Sequence, residues 1–289
     1  MAVYSSRYDP VLDLSLRQLE RQLVFLERAE ASFQAKSATK LAQLYESDAS
    51  RLVPWDTKNG LYLWDWFIPL APCEERERVG AIGDGGKWMC DVSRYETECS
   101  RPCVVYSFGV RTDSTFEYKL HDRTPCEIFG FDPAVDDMAG NAKGTPRIHF
   151  WKTALGAVGN GVNVISLEDA MRRYGHSFID VLKIDIEYAE WDILPPLLGR
   201  YTGGGNNHAQ QQLPFEQLLI EIHHDHRQTP AFFAFMRAAR EAGLVPYSNE
   251  VNCGPPSFGR PPEVIEISFY NTHAWFNRTR WAARDGVCL

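Results

Sequence analysis

Positive charge is scarce in this 289-residue sequence, which has 30 lysines and arginines against 38 acidic residues and a formal net charge of -8. Binding to nucleic acid depends largely on clustered Lys and Arg side chains that neutralise backbone phosphates. The charge balance therefore argues against a nucleic-acid partner and favours a small or neutral substrate. Hydrophobic residues make up 44% of the chain, a proportion typical of a globular domain.

Long apolar runs are also missing. No window of about 18 apolar residues occurs, and charged residues are spread through the first thirty positions. The sequence therefore predicts neither a membrane span nor a signal peptide, although the prior removal of an anchor stays an alternative.

Cysteine patterns for metal binding are absent as well. The seven cysteines form no CxxC pair and no Cys/His zinc spacing, and Cys99 and Cys103 come nearest to one. An odd cysteine count is typical of a reduced cytoplasmic protein. The pair around Pro102 and the glycosylation sequon at residues 277–279 keep the Golgi or secretory lumen open as the alternative compartment.

Glycines are concentrated at residues 80–91, which read GAIGDGGKWMCD. A phosphate-binding P-loop is a poor interpretation, because Trp88 replaces the hydroxyl residue that would bind Mg²⁺. Glycine allows positive φ angles and a close approach of the backbone to a ligand. The stretch is therefore either a ligand-covering loop or a plain multiple turn.

Two organisational features precede the main pattern. Leucines at helical spacing between Pro10 and Tyr45 predict one or two amphipathic helices, which pack on the domain or mediate a homodimer. Residues 53–73 are rich in aromatics and prolines and predict an irregular cover segment.

After residue 100 the sequence predicts an α/β fold. Strand-like runs occupy residues 103–109, 126–132, 147–155, 180–187, 217–223, 244–250 and 264–270, and helix-like runs occupy residues 166–175, 189–198 and 229–243. Near-continuous apolar strands separated by helices indicate a parallel sheet covered on both faces. The last two runs lack a long helix between them and suit an antiparallel pair at one edge.

The ends of the first two strands suggest an adenosine-type ligand. Gly109 ends the first strand and Asp132 follows 23 residues later at the end of the second, where an acid can accept hydrogen bonds from ribose hydroxyls. Arg111 and Thr112 stand where a dinucleotide site needs glycine, which favours S-adenosylmethionine (SAM) over NAD. An ordinary turn with an N-capping Asp132 is the structural alternative.

Strands four and five end in acids and a histidine. If these strands are neighbours, Asp185, Glu187, Glu221 and His223 converge in one cleft. We predict that His223 is a general base oriented by Glu221 or Asp185, with Glu187 holding the acceptor. Alternatives are a Mg²⁺ or Ca²⁺ site built from the same four residues, or a paired polar cluster in which Lys183 neutralises one acid. His224 and His226 are expected to face solvent.

These motifs together resemble the FkbM-type branch of SAM-dependent methyltransferases, especially its eukaryotic methyltransferase-like members. They are VGAIGDGGKWMCD (79–91), VVYSFGV with FE (104–117), FGFDP (129–133), IHFWKTALG (148–156), SLEDAM (166–171), VLKIDIEYAEWDIL (181–194) and LLIEIH (218–223), which span about residues 75–272. The chain departs from the family pattern at Tyr188, where glycine is usual, and in the first loop, which lacks a later glycine.

The resemblance implies a class I methyltransferase: a Rossmann-like, seven-stranded, mostly parallel sheet with the last strand antiparallel, in residues 73–289, after a helical extension and cover in residues 1–72. It implies methyl transfer from SAM, most often to oxygen, and we expect a small-molecule or glycan-like acceptor. Alternatives are a non-catalytic binding module on the same fold and an NAD(P)-linked oxidoreductase.

The expected SAM site has two parts. Residues at the strand ends that bind the cofactor are Ser107, Phe108, Gly109, Arg111, Phe131, Asp132, Pro133 and Asp185. Residues of the glycine loop that fold over the cleft as part of its wall are Gly83, Asp84, Gly85, Gly86 and Lys87. A closed wall aligns the reacting groups and excludes water, which a methyl transfer needs.

Overall fold

The computed structural model describes residues 55–56, 61–67, 69, 71–96, 103–139, 142–156, 163–201, 212–252 and 262–274. The chain divides into two units, residues 1–52 and 53–289. The first unit, with the predicted N-terminal helices and the homodimer that they suggest, lies outside the described residues, and the domain boundary after residue 72 stays a prediction. No helix in the described part of the chain is long and apolar enough to cross a membrane.

Strands and helices alternate along the described residues. The strands are β1 (Trp55–Asp56), β2 (Leu61–Tyr62), β3 (Arg76–Val79), β4 (Lys87–Cys90), β5 (Val104–Phe108), β6 (Glu127–Phe131), β7 (Ile148–Trp151), β8 (Ala154–Leu155), β9 (Val164–Ile165), β10 (Ile179–Ile184), β11 (Phe215–His223), β12 (Leu244–Val251) and β13 (Val264–Asn271). The α-helices are α1 (Thr115–Arg123), α2 (Leu167–Tyr174), α3 (Glu190–Gly199) and α4 (Thr229–Glu241), and short 3-10 helices occupy Leu63–Trp66, Val92–Tyr95 and His226–Gln228.

The main sheet has seven strands in the order β12-β13-β11-β10-β5-β6-β7. Neighbours from β11 through β7 pair in parallel, and β13 runs antiparallel to both β11 and β12. This confirms the predicted class I methyltransferase fold with its last strand antiparallel. The winding reverses between β5 and β10, whose last residues Phe108 and Ile184 are paired, so the ligand-binding crevice belongs at this point.

The central strands are buried along their whole length. Every residue of β5, β10 and β11 is buried. Apolar runs without alternation predicted this arrangement. Helix α2 begins as expected, since the Ser166 hydroxyl accepts a hydrogen bond from the backbone N–H of Asp169, 3.1 Å away.

The glycine stretch joins the strands of an antiparallel β-hairpin outside the main sheet. Val79 of β3 pairs with Lys87 of β4, and residues 80–86 form the connection. Gly86 is required at its position, since a Cβ there would lie 2.2 Å from the carbonyl oxygen of Ala81. The segment between residues 53 and 73, predicted to be irregular, contains only the two-residue strands β1 and β2 and one 3-10 helix where it is described.

Two disulfides correct the interpretation of the cysteines. Cys73 pairs with Cys90, and Cys103 pairs with Cys126, with Cα–Cα distances of 5.7 and 4.5 Å. The count alone could not reveal these pairs, whose members lie 17 and 23 residues apart in the sequence. Four of the cysteines are therefore bonded, and the odd total gives no support for a reduced compartment.

Candidate functional site

A cleft of about 520 Å³ opens at the carboxyl ends of β5, β10 and β11. The hairpin connection forms part of its wall through Asp84 and Gly85, and the segments beside β12 and β13 add Asn252 and Glu263. The cleft therefore lies at the switch point of the sheet. Its lining is Asp84, Gly85, Gly109, Val110, Arg111, Thr112, Asp113, Lys183, Asp185, Glu187, Tyr188, Glu221, His223, Asn252, Glu263 and Val264.

The backbone passes very close to itself where β5 and β10 end. Gly109 has a φ of 81°, and a Cβ there would lie 1.6 Å from the carbonyl oxygen of Asp185, so the position requires glycine. The Asp185 N–H donates to the carbonyl oxygen of Phe108 at 3.0 Å. These contacts hold the two strand ends together at the floor of the cleft.

Asp185 and Glu187 reach the cleft from a loop, which corrects the prediction that they share one side of a strand. Strand β10 ends at Ile184, and the next turn places Glu187 and Tyr188 at φ angles of 55° and 70°. This left-handed region favours glycine, and Tyr188 occupies the position where the FkbM-type sequences that this chain resembles usually have glycine. The turn nevertheless brings both acids to the cleft.

Lys183 forms its direct ion pair with Glu117 and not with a predicted cleft acid, although its charge helps to lower the pKa of Asp185. Its ammonium group lies 3.3 Å from the buried carboxylate of Glu117 in α1 and donates to the carbonyl oxygen of Gly109 at 3.0 Å. Glu117 also accepts a hydrogen bond from the Ser107 hydroxyl. The ion pair of Lys183 and Glu117 therefore holds the carboxyl end of β5 through hydrogen bonds with Gly109 and Ser107.

Lys87 forms direct ion pairs with two of the cleft acids, Asp185 and Glu221. Its side chain is only 1% exposed, and its Nζ lies 3.5 Å from Asp185 Oδ2 and 3.3 Å from Glu221 Oε2. It also donates to Glu266 Oε1. We call these four residues the Lys87 cluster. Asn252 donates to the other carboxyl oxygen of Glu221 at 3.0 Å.

Within the Lys87 cluster, the pKa of Asp185 is lowered and the pKa of Glu221 is raised. Burial alone would raise the pKa of Asp185, but the charges of Lys87 and Lys183 outweigh it and lower that pKa. Burial and the charges of Glu266 and Asp185 raise the pKa of Glu221 to about 8 despite Lys87. Near neutral pH, Asp185 is therefore ionised and Glu221 is largely protonated.

His223 is held between two carboxylates. Its Nδ1 lies 3.1 Å from Glu190 Oε1, in the first turn of α3, and its Nε2 lies 3.4 Å from Glu187 Oε2. Burial alone would lower the pKa of His223, but the hydrogen bond and charge of Glu190, with the charges of Glu221 and Asp185, raise it to about 9. The orienting residue is therefore Glu190, not the predicted Glu221 or Asp185, and His223 is protonated at neutral pH, which argues against a general base.

The residues predicted to bind the cofactor fall into three groups. Gly109, Arg111 and Asp185 line the cleft, as do Asp84 and Gly85 of the hairpin connection. Ser107, Phe108 and Phe131 are buried in the sheet, where the two phenylalanine rings stack at 4.5 Å. The exposed Gly83 and Pro133 and the buried Gly86 are not among the residues that line the cleft.

Asp132 is 2% exposed and already accepts two main-chain hydrogen bonds. Its Oδ2 accepts from the N–H of Arg111 at 2.8 Å, and its Oδ1 accepts from the N–H of Ala134 at 2.7 Å. These bonds fit the turn of the structural alternative, but no helix in the described residues starts directly after Asp132 for it to cap, and the bonds tie the loop after β5 to the end of β6. Binding of a ribose by Asp132 stays a prediction.

Two further predictions meet different outcomes. His224 is fully buried and does not face solvent. Its Nε2 lies 3.0 Å from the Thr229 hydroxyl, and its ring contacts Trp64 edge to face at 5.5 Å.

Of the four proposed metal ligands, Asp185, Glu187 and His223 each offer a ligand atom, all within 4.8 Å of one another. Glu221 is not part of this set.

Sequence patterns missed two residues that shape the site and misplaced a third. Glu190 is hidden in a helix start, and Glu266 lies within an apolar strand. Lys87 was predicted in the cleft wall, whereas its side chain is 1% exposed and lies behind the residues that line the cleft. The only available signal was that an acid inside a buried strand, such as Glu266 in VIEISFY, needs a partner.

Comparison with known proteins finds methyltransferases. A family model described as a methyltransferase domain matches residues 24–260. The human probable methyltransferase-like protein 24 is 24% identical over 204 residues, which are 63% of this chain and 52% of that protein. Its rat counterpart is 31% identical over 109 residues, covering 34% and 29% of the two chains. The chain thus spans about half the length of the human relative and 29% of the length of the rat relative.

Solved structures with similar arrangements have low identity. The fibrillarin pre-rRNA processing protein of Methanococcus jannaschii is 9% identical, with a TM-score of 0.36 and coverage of 69% and 84% of the two chains. The antibiotic-resistance methyltransferase Kmr is 15% identical, with a TM-score of 0.34 and coverage of 68% and 100%.

Proposed function

The chain belongs to the methyltransferase-domain family, and from this premise we propose that it transfers a methyl group from SAM to a hydroxyl oxygen of a small-molecule or glycan-like acceptor. The observation that carries the proposal is the position of Asp185, which lines a cleft at the switch point of a class I sheet with the Lys87 ammonium group 3.5 Å away. Membership in the FkbM-type branch stays a prediction within this family. The family match supports methyl transfer over the NAD(P)-linked oxidoreductase that the sequence left open.

The residues present fit a SAM-sized ligand on the β5 and β10 side of the cleft. Gly109, Arg111 and Asp185 line this side of the cleft, where the close approach of the backbone at Gly109 and Asp185 brings the ends of β5 and β10 together. SAM, when bound, supplies an electrophilic methyl group on a positively charged sulfur. An excess of carboxylates around the cleft favours such a cation.

Asp185 is the candidate to receive the acceptor proton. Its side chain is 14% exposed, so a bound hydroxyl can reach it, and Lys87 lies 3.5 Å from one of its oxygens. His223 keeps its own proton near neutral pH and holds Glu187 in place across the cleft. Orientation of the hydroxyl by these carboxylates supplies the alignment that a displacement at carbon requires.

The cleft wall favours neutral or cationic acceptors over anionic ones. Six acidic residues line it, against Arg111, Lys183 and the protonated His223. Tyr188, which is 42% exposed, adds an aromatic face at the same wall. Carboxylates accept hydrogen bonds from hydroxyl groups, and an aromatic face packs against the carbon side of a sugar ring. This combination supports a polyhydroxylated acceptor.

Turnover of methyl-labelled SAM by the full chain tests the proposal. We expect methyl transfer to neutral glycosides or other neutral polyols, slower transfer to the corresponding sugar phosphates, and a loss of about 10² to 10⁴-fold in Asp185→Asn. Asp136→Asn is the matched control, because Asp136 is 92% exposed and pairs with Lys152 on the surface. Full activity in Asp185→Asn would contradict the role of Asp185 as the general base. A parent chain that methylates none of the acceptors would favour the non-catalytic binding module.

A metal-dependent mechanism is the second candidate, favoured by the compact set of Asp185, Glu187 and His223. The Glu190 carboxylate on His223 Nδ1 is the partner that a metal-binding histidine commonly has. Turnover before and after EDTA treatment separates the candidates. Activity that chelation abolishes and Mg²⁺ restores supports the metal, and unchanged activity supports the metal-free mechanism.

A further inference from the structure

We infer that Lys87 is a positioning residue, which the β3–β4 hairpin inserts behind the cleft to hold the carboxyl groups of Asp185 and Glu221 at its floor. The inference rests on the proposed function for its catalytic consequence. It explains why a glycine-rich connection precedes the sheet, because that connection delivers a buried ammonium group and does not cradle a phosphate.

The position of Lys87 excludes direct contact with a ligand in this structure. Its side chain is 1% exposed and is absent from the cleft lining, whereas two of its three partners, Asp185 and Glu221, line the cleft. The third partner, Glu266 in β13, is 5% exposed and lies outside the lining. Lys87 therefore acts on a bound molecule only through the acids that it holds.

Charge makes this cation necessary for the arrangement. Three carboxyl groups, from the loop after β10 and from β11 and β13, meet within reach of one ammonium group, and burial penalises each charge that lacks a partner. Without Lys87 the ionised Asp185 would lose its buried ammonium partner, and the loop that carries Asp185 would move toward solvent. Burial and like charge already keep the pKa of Glu266 above its usual value.

The hairpin is fixed to the main sheet directly after Lys87, through Trp88 and Cys90 of β4. The carbonyl oxygen of Trp88 accepts hydrogen bonds from the Ser268 hydroxyl at 2.8 Å and the Tyr247 hydroxyl at 3.2 Å. The N–H of Cys90 donates to Gln217 Oε1 at 3.1 Å. Strand β4 is thus anchored through buried side chains of β11, β12 and β13, so the ammonium group has a defined position relative to the acids.

The matched variants are Lys87→Met, which keeps the length of the side chain without its charge, and Lys87→Arg, which keeps the charge. Lys152→Met, at an exposed lysine paired with Asp136, is the control. We expect kcat to fall about 10²-fold in Lys87→Met, to recover in part in Lys87→Arg, and to stay unchanged in the control. Parental kcat in Lys87→Met would overturn the inference.

The double variant Lys87→Met/Glu266→Gln separates positioning from stability. Removing one unpaired carboxylate should restore part of the thermal stability that Lys87→Met loses, whereas kcat should stay low because Asp185 and Glu221 still lack their cation. If kcat recovers together with stability, Lys87 has a structural role only, and the inference is wrong.

Amide hydrogen exchange tests the inference without turnover, so it applies even if the parent chain methylates no acceptor. In Lys87→Met we expect faster exchange at residues 185–188 than in the parent and Lys87→Arg, with no change in α2. Equal exchange at residues 185–188 in all variants would overturn positioning by Lys87. An inert parent chain that shows the expected exchange pattern would contradict the proposed function alone.

Discussion

His223 lies in an environment that changes its affinity for a proton. Its pKa is raised from 6.5 to about 9, mainly by Glu190 against the effect of burial. A raised pKa means that the folded state binds the proton more tightly than the unfolded state does. The resulting stability is fully present below about pH 6.5 and is lost as the pH rises through about 9.

The first prediction follows from that shift. Between about pH 6 and about pH 9.5, the free energy of unfolding of the parent should fall by up to about 3 kcal/mol more than that of His223→Gln. Urea titrations in buffer with EDTA measure both curves. Parallel pH dependences in the two proteins would show that the imidazolium does not stabilise the fold.

Asp132 carries a second prediction, which depends on the proposed SAM site. Asp132→Ala removes a carboxylate that accepts from Arg111 and Ala134, and any hydrogen bond to a ribose. The affinity for S-adenosylhomocysteine should fall by about 1.5–3 kcal/mol for each charged hydrogen bond lost, as measured by calorimetry. Asp136→Ala is the exposed control, and an unchanged affinity in Asp132→Ala would exclude the ribose contact.

Residue chemistry at strand ends could be predicted from sequence, because parallel strands bring their carboxyl ends to one edge. Asp185, Glu187, Glu221 and His223 all line the cleft on this account. Their partners could not be predicted. Lys87 and Glu190 reach them from a hairpin and from a helix start, and no spacing in the sequence encodes those contacts.

At the scale of elements, the predictable parts were those with a strong local pattern. The seven main strands and helices α2, α3 and α4 follow apolar runs, caps, and proline or glycine near the element ends. Helix α1 was missed because its start has no side-chain cap and its nine residues show little apolar patterning. The end of β10 was placed too late, since Asp185 continues an alternating sequence although the backbone turns there.

The hairpin connection gives a prediction at this scale. In Gly86→Ala the new methyl group would lie 2.1 Å from the Arg78 guanidinium and 2.2 Å from the carbonyl oxygen of Ala81. The backbone must shift, so we expect a loss of stability of about 1–3 kcal/mol and slower turnover through displacement of Lys87. Gly199→Ala is the control, because a Cβ there meets no atom within 4 Å. Parental stability and turnover in Gly86→Ala would contradict this account.

At the scale of the whole molecule, one disulfide lies at the end of the sheet opposite the cleft, and the other is attached to the strand that carries Lys87. Cys103 and Cys126 precede β5 and β6, at the amino ends of the strands, whereas the cleft lies at the carboxyl ends. Cys90 ends the strand that carries Lys87. Stability and activity should therefore respond differently to the loss of each bond.

The last prediction uses this difference. Cys103→Ser/Cys126→Ser should lower the free energy of unfolding by about 2–4 kcal/mol while leaving kcat unchanged, since the bond mainly restricts the unfolded chain. Cys73→Ser/Cys90→Ser should lower stability by a similar amount and also reduce turnover, because it loosens the hairpin that holds Lys87. Urea unfolding and labelled-SAM turnover at a temperature where all proteins stay folded measure both effects. Peptide mapping without reductant must first find both disulfides in the parent. Equal loss of turnover in the two double variants would show that the disulfides affect activity only through global stability, because a bond remote from the cleft has no other route to the reaction.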